Sequence, residues 1–263
     1  MTDDPAEAVP PRERRSRAGR VFFIVAGVVV GIAVLLVIAD VVVRNVAEQR
    51  VAEQIEGELP PGVDGEVDVT IGGFSVLAQY LRGTMDLVEL SAPELLVEGA
   101  PLDVDVTLQG VPVDFASPVA LVDATVVADE ATVNRLIAVA GIEGGLTLGD
   151  GAVGYERSID IDVLSMPIAI TVEVTATPVA AGDTVVLDSV GVDVSAAGGT
   201  VDLTGLAERI IGDDPIEVCV AERLPQGVEI TAIDVTEGSV RVEAHATDLQ
   251  LDERSLADTG TCA

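Results

Sequence analysis

The residues best able to do chemistry in this 263-residue chain are carboxylates: 45 Asp+Glu stand against 14 Lys+Arg, one His and two Cys. Asp103 and Asp105 are two apart, and so are Asp160 and Asp162. On an extended strand that spacing puts two carboxylates on one face about 7 Å apart. Such a pair can hold a calcium ion or a metal-bound nucleotide sugar, or act as acid and base on a glycosidic bond. A solvated strand face that keeps an acidic protein soluble has the same pattern. No Gly-rich strand–helix unit for a nucleotide accompanies either pair. His245 is the only imidazole, and it alternates with Arg241 and Glu243 on what reads as a wet face. A surface histidine is therefore expected there, not the base of a Ser or Cys nucleophile. With no G-x-S-x-G, H-E-x-x-H or C-x-x-C motif, the expectation is no catalytic residue, no metal and no cofactor.

The charge excludes more. All fourteen basic residues are Arg, so the lysine of a P-loop is missing, and a net charge of -31 repels nucleic acid. A hydrophobic content of 49% nevertheless supports a folded core. Cys219 and Cys262 leave two readings open: one disulfide of an exported domain, closing a loop of roughly forty residues, or two buried thiols.

The elements that must position these residues begin with a membrane segment. Residues 1–20 are polar and hold Arg12, Arg14, Arg15, Arg17 and Arg20. Val21 to Ala39 carries no charged or polar side chain, and as a helix it spans roughly 29 Å, close to the ~30 Å of bilayer hydrocarbon. Arg on one side and Asp40 on the other place the tail in the cytoplasm and the rest outside. A cleaved signal peptide is the rival, but its apolar region is shorter and ends in small residues. The expectation is an uncleaved signal-anchor in the plasma membrane: a tail at 1–20, a span at 21–43 and one extracytoplasmic domain at 44–263.

That domain reads as α+β, dominated by an antiparallel sheet. Val41–Leu59 has helical periodicity, with Val42, Val46, Ile55 and Leu59 on one stripe, and Pro60-Pro61-Gly62 ends it. Beyond it the period is two. Val67/Val69/Ile71, Leu102 to Leu108, Ile159 to Val163, Ile168 to Val174, Val190 to Val194, Val228/Ile230 and Val240 to Ala244 alternate with polar residues. Three helices interrupt: Phe74–Leu81, Asp129–Val139 with Asp129 as N-cap, and Asp202–Ile211. Leu59-Pro60-Pro61-Gly62-Val63 is echoed by Leu224-Pro225-Gln226-Gly227-Val228, each leading into a strand. Inward positions are nearly all Val, Ile, Leu and Ala. Such walls suit acyl chains, although a filled aliphatic core would read the same.

Gly72-Gly73-Phe74-Ser75-Val76-Leu77-Ala78-Gln79-Tyr80-Leu81-Arg82-Gly83 and the strand after it resemble the opening signature of the actinobacterial DUF2993, or LmeA-like, phospholipid-binding proteins. Leu224 to Val228, Val240-Arg241-Val242 and Thr247-Asp248-Leu249 are similar to that family's closing strands, and Glu130 to Ile137 to its central helix. The resemblance covers about 44–252. It implies a curved antiparallel sheet wrapping a long helix, as in tubular lipid-binding domains, and a role in maintaining envelope lipids or glycolipids. It supplies no catalytic residues. The implied partners are phospholipid or glycolipid acyl chains and the plasma membrane, with Phe74, Leu77 and Leu81 closing a tunnel mouth and Val133, Leu136 and Ile137 as further lipid contacts. Core packing of the same six residues is the plain alternative. The acidic excess and Cys219 and Cys262 depart from the family's pattern. Two rival functions remain: an envelope interaction module with a solid core, and a carboxylate-dependent glycan-modifying enzyme.

Overall fold

The chain divides into two units, Met1–Val43 and Arg44–Ala263. The computed structural model describes residues 17–114, 117–139, 141, 143–163, 166–196, 199–202 and 216–262. Helix α1 runs over Arg17–Glu58. Its apolar part reaches a mean hydropathy of 2.9 over 18 residues, none of them buried, and it is long and apolar enough to cross a membrane. α1 stops at Glu58 because the two prolines that follow have no N–H to donate. Pro60 instead opens a turn in which Val63 N donates to the Pro60 carbonyl at 3.0 Å, with Gly62 at φ 90°.

Among the described residues the second unit holds thirteen strands: β1 (Val63–Asp64), β2 (Asp68–Ile71), β3 (Thr84–Val97), β4 (Ala100–Pro112), β5 (Val119–Asp129), β6 (Gly145–Leu148), β7 (Val153–Val163), β8 (Met166–Ala181), β9 (Thr184–Ala196), β10 (Gly199–Asp202), β11 (Ile216–Cys219), β12 (Val228–Thr236) and β13 (Ser239–Leu249). Helices α2 (Val76–Arg82), α3 (Glu130–Val139) and α4 (Glu253–Ala257) lie between or after them. Two sheets form where the sequence suggested one. The first has the order β1-β3-β4-β5-β13-β12, with β2 also on β3; the second has β10-β9-β8-β7-β6, with β11 also on β9. Both are antiparallel and open, so the α+β architecture with a single N-terminal apolar helix stands.

The buried core sits at one end of the first sheet. Val67, Val69, Val88, Leu108, Val111, Val119, Val122, Ala246 and Leu249 are buried there, and Val51, Ala52 and Ile55 of α1 pack against them. This corrects the expected stripe on α1. Ile55 and Leu59 are half-buried, but Val46 is 48% exposed and Val42 is exposed as well. The docked face is rotated toward Glu48 because α1 also binds a strand edge. Glu48 Oε1 accepts from Ile71 N at 2.8 Å and Glu56 Oε1 from Val67 N at 2.9 Å. The lengths agree: eight helical residues rise about 12 Å and four strand residues about 13 Å. A row of open N–H groups, otherwise a template for strand pairing, is thereby capped.

Helix α3 treats the second sheet in the same way. Glu130 Oε2 accepts from Leu148 N at 2.8 Å, while Asn134 accepts from Leu146 N and donates to Leu146 O, both at 2.7 Å. These bonds cap the free edge of β6. At the far side of the first sheet, β12 receives turns of the second: Gly182 and Ile230 bridge, and Gly151 N donates to Val235 O at 2.9 Å. The two echoed Pro/Gly segments are the same turn. Val228 N donates to Pro225 O at 3.1 Å with Gly227 at φ 88°, and the turns lead into β1 and β12, the two ends of that path of strands.

Cys219 and Cys262 form a disulfide across 43 residues, with Cα atoms 5.9 Å apart, which settles the alternative left open by the sequence. The helix expected at Asp202–Ile211 lies outside the described residues apart from Asp202, which ends β10.

An open aliphatic face and an exposed helical tip

Side chains alternate along strands, so residues paired in register share a face. On the first sheet, Val106, Ala124, Ala244 and Ile230 form one row, and Val104, Val126, Val242 and Ile233 the next. All eight are half-buried. One step toward the core, the row Leu108, Val122 and Ala246 is buried. Among the described residues the apolar face is thus buried at one end and half-buried along the rest, and the facing alanines keep its floor low. On the second sheet Ile170, Val172 and Val174 of β8, with Val192 and Val194 of β9, make a comparable half-buried face. A smaller cleft of about 250 Å³ lies between α1 and β2, lined by Asn45, Glu48, Gln49, Ala52, Val67, Asp68 and Val69.

Helix α2 is set by its ends. The Ser75 hydroxyl accepts from Ala78 N at 3.1 Å, and Gly83 N donates to the Gln79 and Tyr80 carbonyls at 3.0 and 3.1 Å. Phe74 therefore precedes the cap instead of opening the helix, a correction to the expected span. The helix buries Val76 and Gln79. Gln79 is wholly buried, and its amide joins two backbone segments: Nε2 donates to Gly72 O at 2.9 Å and Oε1 accepts from Asp86 N at 2.6 Å. Gly73 sits at φ 89°, where a Cβ would lie 2.5 Å from Gln79 Nε2. Only glycine fits that position. Gln79 was not singled out from the sequence; its place in the Gly-Gly signature was the available signal.

The outer face of this tip carries Phe74, 101% exposed, with Tyr80 at 61% and Leu81 at 79%. Leu77 is half-buried. On α3, Val133, Leu136 and Ile137 are all half-buried. The two groups are not brought together. The α2 end meets the C-terminal end of β4 through Val113 N to Gly83 O at 3.1 Å, and α3 meets its start through Arg135 Nη1 to Gly99 O at 2.6 Å. Thirteen strand residues, about 43 Å, separate those points.

The expected cap on α3 is present: Asp129 Oδ1 accepts from Thr132 N at 2.7 Å. That bond, with a second to the Thr132 side chain, holds the Asp129 carboxyl below its ordinary value. Asp252 is lowered likewise by Ser255 at the start of α4.

Of the carboxylates first considered for chemistry, Asp103 and Asp105 lie on an outward face. Asp103 Oδ1 accepts from Glu94 N at 3.1 Å beside a bulge in β3, and Asp105 Oδ1 from the Ser91 hydroxyl at 2.7 Å. Both project from β4 opposite Val104 and Val106. Asp160 and Asp162 stand on β7, in register with Ala169 and Pro167. His245 pairs across strands with Asp123, Nδ1 to Oδ1 at 2.7 Å, as a surface residue does.

No curated protein and no solved structure matches the chain significantly. The model of the LmeA-like phospholipid-binding family matches residues 38–245. That range takes in the α1 clamp, the Gly72-Gly73 tip and the open aliphatic rows of both sheets, and the chain belongs to the LmeA-like phospholipid-binding family.

Proposed function

We propose that this protein is a membrane-anchored, extracytoplasmic phospholipid-binding protein that holds or shuttles acyl chains, without catalysis, in the upkeep of envelope lipids or glycolipids. The observation that carries the reading is the half-buried aliphatic face on two sheets, with alanines on its floor. An acyl chain laid there removes its own surface and the valines' surface from water at about 0.8 kcal/mol per methylene, and an aliphatic wall asks for no directional contact. The family supports phospholipid as the occupant. The apolar part of α1, with Arg on its N-terminal side, supports anchoring in the plasma membrane with residues 1–20 cytoplasmic. Phe74, Leu77 and Leu81 at one end of the first sheet, and Val133, Leu136 and Ile137 at the other, are proposed to meet acyl chains as they enter or leave.

The test is native mass spectrometry of the full chain extracted from its own membranes, beside the Ala124→Phe, Ala244→Phe double variant, whose rings fill the floor of the open face. Co-purifying phospholipid in the parent chain, depleted in the variant at unchanged helix and strand content, is expected. A parent chain free of lipid, with no uptake from labelled vesicles, overturns the reading and leaves the interaction module in its place.

A further inference from the structure

We infer that Phe74, Tyr80 and Leu81 form a wedge that inserts into the headgroup–acyl boundary of the phospholipid leaflet from which α1 emerges. The inference rests on reading α1 as an anchor, and three observations carry it beyond that reading. First, the side chains are apolar or amphipathic and face solvent on a helical tip: Phe74 is 101% exposed, Leu81 79% and Tyr80 61%. Tyr and Phe with a neighbouring Leu are the residues that settle at a membrane interface. Second, the tip is tethered to the point where the chain leaves the apolar run. Arg44 follows Val43 directly, and its Nη2 donates to the carbonyl of Gly73, one residue before Phe74, at 2.9 Å. A hydrogen bond thus links the first residue after the run to the base of the wedge. Third, the charge suits an anionic surface. Val69 to Met85 contains no Asp or Glu, in a chain that averages one in every six residues, and it includes Arg82. The nearest acid along the chain on the C-terminal side, Asp86, is ion-paired with Arg82 at 3.1 Å. A domain whose net charge repels anionic headgroups thereby presents to them its longest carboxylate-free segment.

The wedge also has a rigid mount. The buried Gln79 amide, the left-handed Gly73 and the Ser75 cap fix the loop and helix, so Phe74 is held outward by bonds behind it. The insertion places the filled end of the first sheet, around Val88 and Val111, next to lipid, with the half-buried aliphatic rows starting one step beyond it at Val106 and Ala124.

The chain has no Trp, which makes the test clean. Single-Trp variants Phe74→Trp, Leu96→Trp and Val34→Trp of the full chain are reconstituted into vesicles of phosphatidylcholine and phosphatidylglycerol that carry quenchers at shallow or deep acyl positions. Leu96 is 40% exposed and lies in the β3–β4 hairpin at the far end of β4; Val34 lies in the apolar run. Expected for Phe74→Trp are blue-shifted emission and quenching by the shallow label several-fold stronger than for Leu96→Trp, which stays open to aqueous acrylamide. Red emission with full acrylamide quenching at Phe74→Trp, while Val34→Trp is quenched by the deep label, overturns the wedge and leaves the anchor standing. An unquenched Val34→Trp overturns the anchor itself. Blue emission at Phe74→Trp that ignores lipid quenchers and grows with protein concentration assigns the patch to a second copy and also overturns the wedge.

Discussion

Replacing Gln79 by methionine tests whether one buried amide holds the tip to the sheet. Methionine keeps the length and nearly the volume of glutamine, so no cavity opens and the change removes hydrogen bonding alone. Two backbone groups lose their partner: Gly72 O, bonded at 2.9 Å, and Asp86 N, bonded at 2.6 Å. An unsatisfied buried group costs about 1–3 kcal/mol. Both backbone groups are only part-buried, so water recovers some of that, and the expected loss for Gln79→Met is about 2–4 kcal/mol. For a domain of this size that corresponds to a Tm lower by roughly 4–16 °C. The loss has a place as well as a size. Because the bonds join residues 72 and 86, opening confined to that loop precedes global unfolding. Equilibrium denaturation of the full chain in micelles reads the total, and amide hydrogen exchange at Asp86 and Gly83 reads the location. A Gln79→Met chain within about 0.5 kcal/mol of the parent, with Asp86 protection intact, refutes the argument that the amide is the fastening.

Other consequences are as direct. Glu48→Ala and Glu56→Ala each strip a charged acceptor from a β2 edge N–H and cost about 1–3 kcal/mol by denaturation, whereas the Gln variants retain most of the stability; equal losses for Ala and Gln would mean the bonds matter little. Reduction of Cys219–Cys262, or Cys219→Ser with Cys262→Ser, lowers stability by about 2–4 kcal/mol through the freed loop of 43 residues, read as a shift in denaturation midpoint. Asp129 and Asp252 titrate below their ordinary 3.8 when folded, so their contribution is complete above that value and disappears as pH falls through the lower folded one. Asp129→Asn with Asp252→Asn keeps capping groups and flattens stability against pH below about 4; an unchanged acid limb refutes the assignment.

The alternating strands were legible because each buries one face: Val67/Val69/Ile71 and Leu102 to Leu108 fall within or beside β2 and β4. β5 was not legible. It is a central strand with aliphatics on both faces, Val122 and Val126 inward and Leu121 and Val127 outward, so the period of two is blurred. The docked face of α1 was misjudged because the helix turns Glu48 and Glu56 toward a strand edge, and a hydrophobic pattern is blind to a carboxylate used as a backbone acceptor. The tip illustrates the same limit. The spacing of Phe74, Leu77 and Leu81 does mark one side of the segment, but the structure exposes Phe74 and Leu81 and half-buries Leu77, and the inward positions fall to Val76 and to Gln79, a polar residue whose burial depends on two backbone partners that no local pattern reveals.

How a sheet protein keeps an apolar face open without aggregating follows from where its helices sit. A helix laid across the middle of a sheet buries the face; here α1 and α3 are held at edges, by Glu48 and Glu56 on β2 and by Glu130 and Asn134 on β6. Edges are the templates for strand pairing between molecules, so they are closed with side-chain acceptors and donors. Stability then comes from the filled end around Val88, Leu108 and Val122, and the rows through Ala124 and Ala244 stay half-buried. A half-buried aliphatic face still attracts its own copies. The outward residues oppose that: Asp103, Asp105, Asp123 and Glu243 stand on the reverse of the strands that carry the open rows, and the chain's charge of -31 makes any two copies repel. The acidic excess therefore needs no chemical role. It fits a face that must stay available to a neutral acyl chain while remaining closed to another protein of its kind.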